Sequence, residues 1–412
     1  MLSYWNMTKS NKVFFGLFII AFLLRLGLAI STYHSDIGAF ALAGKHIVGE
    51  GKVLSFYDAV TTKGNQGELK LLDHKTVFNY QPLAYLIPSV IYLPFRSLVI
   101  NTADKMINVN WDWLRQRNIY WPLLVYKLPM ILADLAIVFL LPKLFEEKKK
   151  KRLSQILWLF NPLSIYVSSM MGQVDIIIAL FLLLALINLK NKRNFKAVVW
   201  VALSALIKPI GLILFPIMAV NEFQKKNNWI DFIKTGFLGF LVYSVGVAIY
   251  ISSPAYRYFA LFADQIGKST FAGISVASGT VIPWFFIIYI IGLFMFWKRK
   301  VNSETIVGVA LLTSLVFTHF HPQWLIWVMP WMIYESIKKD ELIFYLGMVA
   351  AWLGILFSFD STLHFDMFLA RKMMEATTFK GNLILEITML SRAYLVAITL
   401  CKLSVKQTTK LD

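Results

Sequence analysis

The chain has 412 residues, of which 58% are hydrophobic and only 16% charged, and this composition excludes a water-soluble protein of that length. The formal net charge of +18 would suit a nucleic-acid binder, but the Lys and Arg residues lie in short clusters between apolar runs, where they orient membrane helices. We therefore expect no nucleic-acid partner. The single cysteine, Cys401, excludes a disulfide framework and a thiolate metal site.

Apolar runs of membrane-spanning length occur along the whole chain. A helix needs about 20 apolar residues to cross a bilayer. The first run should be a retained helix and not a cleaved signal, because no small-residue cleavage site follows it and many more runs come after it. The runs close to full length cover residues 13–31, 121–143, 235–252, 281–297, 306–320, 342–358 and 382–401.

Shorter apolar runs are separated by polar or Pro/Gly turns. At 1.5 Å per residue, a run such as 195–207 covers about 20 Å of a hydrocarbon core of about 30 Å. We therefore expect these arms to be tilted, or to be buried by protein where they break. The shorter runs are 153–169 with 175–189, 195–207 with 209–220, and 324–334.

The basic clusters predict the orientation of the helices. Twenty-three Lys and Arg residues fall at the helix ends and in the connections of one side and six in the short connections of the other, so both termini should be cytoplasmic. This arrangement predicts an all-α polytopic membrane protein with about 12 transmembrane or membrane-dipping helices. Residues 1–412 form a single domain, with 32–121 as a long extracytoplasmic loop and 122–402 as the helix bundle. Within that loop, residues 82–100 should lie in or dip into the outer interface.

Ionisable residues inside membrane spans cost roughly 2.5 to 3.5 kcal/mol each, which makes them candidates for function. Arg25 and Lys127 both lie about 9 Å below the outer surface, Lys208 lies at an outer break, and His321 lies in an outer turn. We interpret these four as the wall of an outward-facing cavity that attracts a membrane-embedded anion. Alternatively, Arg25 and Lys127 snorkel to headgroups and Lys208 is a surface turn. The other ionisable residues in predicted spans are Asp134, Asp175, His319, Glu386 and Arg392, of which Asp134 and His319 also suit a purely structural role.

Asp36 follows the outer end of the first predicted helix by about five residues. A carboxylate at that height can accept a proton from an attacking hydroxyl group. An equally simple interpretation is a helix cap for the residues from Ile37 onward. The chain has no Asp-x-Asp motif and no glycine-rich phosphate loop, so we predict neither a metal nor a nucleotide-activated substrate.

Several short motifs occur in a characteristic order. They are His34-Ser35-Asp36 with Phe56-Tyr57, Asn79-Tyr80-Gln81-Pro82-Leu83, Lys127-Leu128-Pro129 with Ala133-Asp134-Leu135, Phe160-Asn161-Pro162 running to Gly172-Gln173-Val174-Asp175, and Ala205-Leu206-Ile207-Lys208-Pro209. This series resembles the C-superfamily of membrane glycosyltransferases, and especially the mannosyltransferases related to the enzyme that adds the second mannose of GPI anchors. One motif departs from that family, which usually has Tyr-Pro-Pro where this chain has Tyr80-Gln81-Pro82.

The resemblance implies an inverting transfer of a sugar, mannose or another hexose, from a polyprenyl-phosphate donor to an acceptor hydroxyl on the extracytoplasmic face. It makes Asp36 the general base. Fixed cations would stabilise the departing phosphate. No cofactor or metal is implied; the partners are the lipid-linked donor, a glycan, lipid or protein acceptor, and membrane lipids. The candidates for holding the donor phosphate are Lys208, Lys127, His321 and Arg25, of which Arg25 comes from its depth in the membrane and not from the resemblance. We expect His34, Tyr80, Gln173 and Asp175 to line the site.

Two other functions suit a polytopic bundle with buried cations. One is a transporter or lipid-linked glycan flippase, against which the lack of an inverted repeat of broken helices argues. The other is an assembly subunit without activity. We expect a multi-pass protein of a prokaryotic plasma membrane, or alternatively of the ER membrane. The last outer loop, residues 360–382 with His364, Asp366, Arg371 and Lys372, is expected to shape the choice of acceptor.

Overall fold

The protein, seen in a computed structural model, is almost entirely helical where the structure describes it. His319 and the loop residues His364, Asp366, Arg371 and Lys372 lie outside the described residues. The described ranges are 9–61, 79–108, 113, 116–262, 272–276, 279–318, 321–359, 363, 368 and 381–404.

The first half of the chain begins with a long helix and then folds into short outer helices before it enters the bundle. Its α-helices are α1 (Lys9–Ser31), α2 (Ile37–Ala43), α3 (Phe56–Thr61), α4 (Leu83–Tyr92), α5 (Arg96–Ile107), α6 (Tyr120–Leu140), α7 (Lys148–Leu159), α8 (Pro162–Ile165) and α9 (Asp175–Lys190). The described part of this half also contains two π-helical segments, Gly44–Gly49 and Tyr166–Met171, and three 3-10 segments, Leu93–Phe95, Arg117–Ile119 and Leu141–Leu144.

The second half completes the bundle and adds a small antiparallel hairpin. Its α-helices are α10 (Asn194–Ala205), α11 (Phe215–Lys226), α12 (Trp229–Ala248), α13 (Pro254–Tyr256), α14 (Trp284–Trp297), α15 (Ser303–Val316), α16 (Met329–Lys338), α17 (Leu342–Leu356) and α18 (Asn382–Ser404). The remaining elements are the 3-10 segments Pro209–Leu214 and Pro322–Trp327, the π segment Arg257–Leu261, and strands β1 (Gly273–Ser275) and β2 (Val281–Pro283), in which Ile274 lies opposite Ile282.

This architecture confirms the all-α polytopic fold. Within the described residues, five helices are long and apolar enough to cross a membrane, and several shorter apolar helices accompany them. The total of 12 spans stays a prediction. The long candidates are Asn11–Ser31, Leu83–Ile107, Tyr120–Leu144, Trp229–Ala248 and Asn382–Ser404.

The segment Leu83–Ile107 has the length and hydropathy of a span, although the sequence predicts that most of it lies at the outer interface. Its two ends contact groups on the same predicted side of the membrane. The Leu83 amide donates to the Leu206 carbonyl at 2.9 Å, and the Tyr33 hydroxyl donates to the Met106 carbonyl at 3.2 Å. These contacts favour the interfacial placement.

The two predicted breaks in the paired arms have clear backbone causes. Gly172 ends the Tyr166–Met171 segment with a left-handed φ of +73°, a conformation that glycine adopts without steric cost. Lys208 is extended between α10 and the 3-10 segment that Pro209 opens. As a result, Gln173, Asp175 and Lys208 lie at or next to irregular backbone, which is tolerated at membrane depth only where protein or water surrounds it.

Helix α9 is the central element behind the site. Eleven of its 16 residues are buried and the other five are partly buried, and it packs against α6, α10 and the Pro322–Trp327 segment. By contrast, Ile233, Phe237 and Phe240 of α12 are exposed, as side chains that face lipid must be. Asp175, the first residue of α9, is fully buried and is thus held firmly by the surrounding helices.

Candidate functional site

Asp36 lies at the start of α2 but does not cap it. Its side chain makes no capping hydrogen bond, which removes the simple structural interpretation. Oδ2 of Asp36 instead accepts a hydrogen bond from Nε2 of the buried Gln173. The Asp36 side chain keeps 17% of its surface exposed, so that the carboxylate is both held and accessible.

His34 contacts the same carboxylate. Its Nδ1 accepts the Asp36 backbone N–H at 3.2 Å and lies 3.6 Å from Asp36 Oδ2. Burial lowers the pKa of the His34 imidazole; Asp36 opposes this shift and Lys127 adds to it. A neutral ring with its proton on Nε2 fits both observations, and His34 therefore orients the Asp36 backbone.

A second carboxylate, Asp175, is ion-paired with Lys208. The Lys208 ammonium donates to both carboxylate oxygens of Asp175 at 2.9 Å, and the Trp327 indole N–H donates to Oδ1 at 2.8 Å. Asp175 is fully buried, whereas Lys208 is 8% exposed. The pair thus joins α9, the break before Pro209 and the Pro322–Trp327 segment.

Aromatic rings surround the Lys208 ammonium. Its Nζ lies 5.0 Å from the ring centroid of Tyr80, 5.2 Å from that of Trp324 and 5.7 Å from that of Trp327. The two indoles stack on each other with centroids 5.3 Å apart. Ring faces attract a cation without using a hydrogen-bond acceptor. They therefore hold the ammonium in place without taking its third N–H donor, the one that the two hydrogen bonds to Asp175 leave over.

Tyr80 lies within electrostatic range of both carboxylates. Burial raises the pKa of the Tyr80 phenol, and Asp36 and Asp175 raise it further because both negative charges lie near the hydroxyl. Gln173 interacts with the same hydroxyl. The phenol is therefore neutral, and both carboxylates lie within electrostatic range of it.

The departure from Tyr-Pro-Pro has a structural role in this chain. The Gln81 backbone N–H, which a proline would lack, donates to the Ile207 carbonyl at 3.2 Å. The Gln81 side chain donates to the Ala260 carbonyl at 2.9 Å and accepts from the Tyr256 hydroxyl at 2.6 Å. Gln81 thus ties the outer segment to the residue directly before Lys208.

His321 precedes the segment that carries both tryptophans. Its ring contacts Trp324, with centroids 5.4 Å apart, and Phe359, with centroids 5.7 Å apart. The imidazole is only partly buried. His321 therefore borders the aromatic side of the Lys208 environment.

Arg25 departs from its predicted place in the cavity wall. The guanidinium is fully buried, and Nε donates to Asp134 Oδ2 at 2.7 Å. Its other nitrogens donate to the Leu159 carbonyl, the Ala21 carbonyl and the Ser164 hydroxyl. We correct the interpretation of Arg25, because these contacts make it a brace between helices and leave it inaccessible to a phosphate.

Lys127 departs in the same way. The residue is fully buried, and its Nζ donates to the carbonyls of Ala29 and Thr32 at 3.0 and 2.7 Å and to Thr32 Oγ1 at 2.9 Å. An ammonium group has three N–H donors, so these contacts use all of them. We therefore withdraw the assignment of Lys127 to the donor phosphate as well.

Sequence reasoning missed Trp324, Trp327 and Thr32. Aromatic residues are too common in membrane proteins to single out by type. The two tryptophans lie three positions apart, directly after a Pro-containing break, and this is the signal that could have found that pair. Thr32 gives no signal of its own, because only the fold brings Lys127 to it.

The arrangement combines a proton acceptor, Asp36, with a cationic aromatic region around Lys208. Such a pair of environments suits a reaction in which a hydroxyl group loses a proton while an anionic group departs. Within the described residues, no group of three or more His, Cys, Asp or Glu side chains could hold a metal ion.

Comparison with known proteins gives one family. Residues 122–358, more than half of the chain, match the sequence model described as Glycosyltransferase family 87. The matched region contains Gln173, Asp175, Lys208 and His321, and it begins after Asp36. No curated protein and no solved structure matches the chain.

Proposed function

Because the chain belongs to glycosyltransferase family 87, and is therefore a membrane glycosyltransferase, we propose that its donor is a polyprenyl-phosphate sugar and that it transfers the sugar with inversion at the extracytoplasmic face. Mannose, or another hexose, is the proposed sugar. The observation that carries the proposal is the Asp36 carboxylate, which is partly exposed, held by Gln173 and free of any capping duty.

The proposed reaction begins when an acceptor hydroxyl attacks the anomeric carbon of the donor. The new C–O bond forms on the face of the sugar opposite the phosphate. The bond between the anomeric carbon and the phosphate oxygen breaks, and the oxygen keeps the electron pair. Asp36 takes the hydroxyl proton as the general base. The products are the glycosylated acceptor, polyprenyl phosphate and a protonated Asp36, which then releases its proton to water.

Lys208 is the proposed ligand of the departing phosphate, with His321 beside it. Support comes from the position of the ammonium, which is slightly exposed and flanked by the ring faces of Tyr80 and Trp324. Asp175 holds the lysine in place. A fixed cation in a site with little water stabilises developing negative charge far more than the same cation in bulk solvent.

Family membership does not favour the transporter or flippase. The proposed location is the plasma membrane of a prokaryote, or alternatively the ER membrane. The acceptor can be a lipid, a glycan or a protein. The loop 360–382 stays a proposed contributor to acceptor choice.

The test is the Asp36→Asn variant of the purified full-length protein. Tritiated sugars on undecaprenyl phosphate are offered with an acceptor panel of octyl glycosides and extracted membrane lipids. We expect turnover to fall by about 100- to 10,000-fold, the usual contribution of a general base, with donor binding retained. The matched control is Asp104→Asn, since Asp104 is an exposed carboxylate of the same outer segment, paired with Lys45, and should leave turnover unchanged. Full activity of Asp36→Asn would remove the base from the mechanism.

A further inference from the structure

Lys127 contacts both chain segments that meet at the Asp36 carboxylate. Through its ammonium it holds the Ala29 and Thr32 carbonyls at the outer end of α1, four residues before Asp36. Through its aliphatic stem it packs on Gly172, where an added Cβ would come within 2.7 Å of Lys127 Cγ. Gly172 directly precedes Gln173, the partner of Asp36.

Thr32 completes this connection. Its hydroxyl oxygen receives a hydrogen bond from Lys127 at 2.9 Å. The single hydroxyl proton is shared between two carbonyls within donating distance, that of Leu28 in the same helix turn at 2.5 Å and that of Met170 at 3.0 Å. Thr32 is fully buried. The end of α1 and residues 170–173 are therefore joined by a polar contact through Thr32 and by packing through Lys127.

We propose that Lys127 is a positioning residue for the transfer reaction, which sets the placement of Asp36 relative to Gln173 by fixing the end of α1 against residues 170–173. The inference rests on the proposed function, because Lys127 acts through the base Asp36. It replaces the role in phosphate binding that the sequence suggested for this lysine.

Lys127 can position Asp36 because the C-terminal end of α1 needs hydrogen-bond donors from outside the helix. The last carbonyls of a helix have no partners within the helix, and in a buried place they need donors from elsewhere. Lys127 supplies these donors to Ala29 and Thr32. Without them the last turn loosens and Asp36 shifts with it. A displacement of about 1 Å at a reacting group can cost about 100-fold in rate.

The first experiment separates positioning from phosphate binding. Lys127→Met keeps the stem that packs on Gly172 and removes the three donors. We expect kcat to fall by about 100-fold, while the KM for undecaprenyl-phosphate mannose stays close to that of the parent protein. A raised donor KM with an unchanged kcat would overturn the proposal and return Lys127 to the phosphate.

Thr32 provides a milder variant in case Lys127→Met does not fold. Thr32→Val removes only the hydroxyl, and we expect a kcat loss of about 10-fold, the size that one buried hydrogen bond can carry. Thr32→Ser should restore the parent kcat. Parent-like turnover in Thr32→Val contradicts the proposal.

A double variant tests whether Lys127 acts through the Asp36–Gln173 contact. If it does, Lys127→Met combined with Gln173→Leu should be no slower than the slower single variant, whereas independent roles would multiply. Asp36→Asn reports separately on the proposed function. An inactive Asp36→Asn with fully active Lys127 and Thr32 variants refutes the positioning role alone, and an active Asp36→Asn refutes the base itself.

Discussion

Two buried cation–carboxylate pairs with the same chemistry have different surroundings in this molecule. Arg25 and Asp134 join α1 to α6, and Lys208 and Asp175 join the break after α10 to α9. In both pairs an indole N–H also donates to the carboxylate, from Trp158 at 2.7 Å and from Trp327 at 2.8 Å. The carboxylates thus have similar partners, and the difference lies with the cations.

Around Arg25 the protein supplies further acceptors, including the Leu159 carbonyl at 2.8 Å and Ser164 Oγ at 3.2 Å. Around Lys208 it supplies aromatic ring faces and a small opening. A cation enclosed by acceptors stabilises the fold and has nothing left to offer a ligand. Lys208 gives two of its three N–H donors to Asp175, and the rings around it leave the third available to an anion. We infer that this difference separates a structural pair from a functional one.

The largest expected effect is the loss of the fold in Arg25→Met. Removing one partner of a buried ion pair leaves an uncompensated charge, which costs about 3 to 5 kcal/mol. We expect a severe drop in the yield of monodisperse protein and in its melting temperature, measured by size exclusion and thermal unfolding in detergent. The double variant Arg25→Met/Asp134→Asn should recover both folding and transfer activity, since the amide oxygen that replaces the carboxylate can still accept from Trp158. Recovery of folding without activity would show that this pair also serves catalysis.

The second prediction applies the same design to Lys208. The double variant Lys208→Met/Asp175→Asn should fold, because neither charge is left alone, but its turnover should fall by about 100-fold or more, in the range seen when one donor to a developing anion is removed. The measurement is transfer from undecaprenyl-phosphate mannose at matched protein concentration. An active double variant would place this pair with Arg25 and Asp134 as a structural contact.

The sequence predicts the fold class because long apolar runs and basic clusters are determined by the bilayer and by helix geometry alone. It also singles out Lys208 at a Pro-containing break and Asp36 after a helix end, whereas Gln173 is named only through the family resemblance. The breaks themselves follow from local chemistry, because Gly172 can adopt a left-handed φ and Pro209 has a fixed φ and no backbone N–H to donate.

The partners of buried charges could not be predicted in this way. The shared depth of Arg25 and Lys127 suggested a common cavity, but depth leaves the direction of each side chain around its helix undetermined. Arg25 turns to Asp134, and Lys127 to the end of α1. Pairing depends on how α1, α6 and α8 pack, which is a tertiary property that short motifs do not encode.

The smallest expected effect comes from removing the indole N–H groups that donate to the two carboxylates. These substitutions give the most direct comparison of the two pairs. Trp327→Phe and Trp158→Phe each keep an aromatic ring and remove one N–H from a buried carboxylate, a hydrogen bond worth about 1.5 to 3 kcal/mol because the acceptor is charged. For Trp327 we expect turnover to fall by about 10-fold with a modest change in melting temperature, since Asp175 then holds Lys208 less firmly. For Trp158 we expect a lower melting temperature with turnover per folded molecule preserved. Both quantities come from the same preparations, and equal effects of the two substitutions on turnover would show that the distinction between the pairs is wrong.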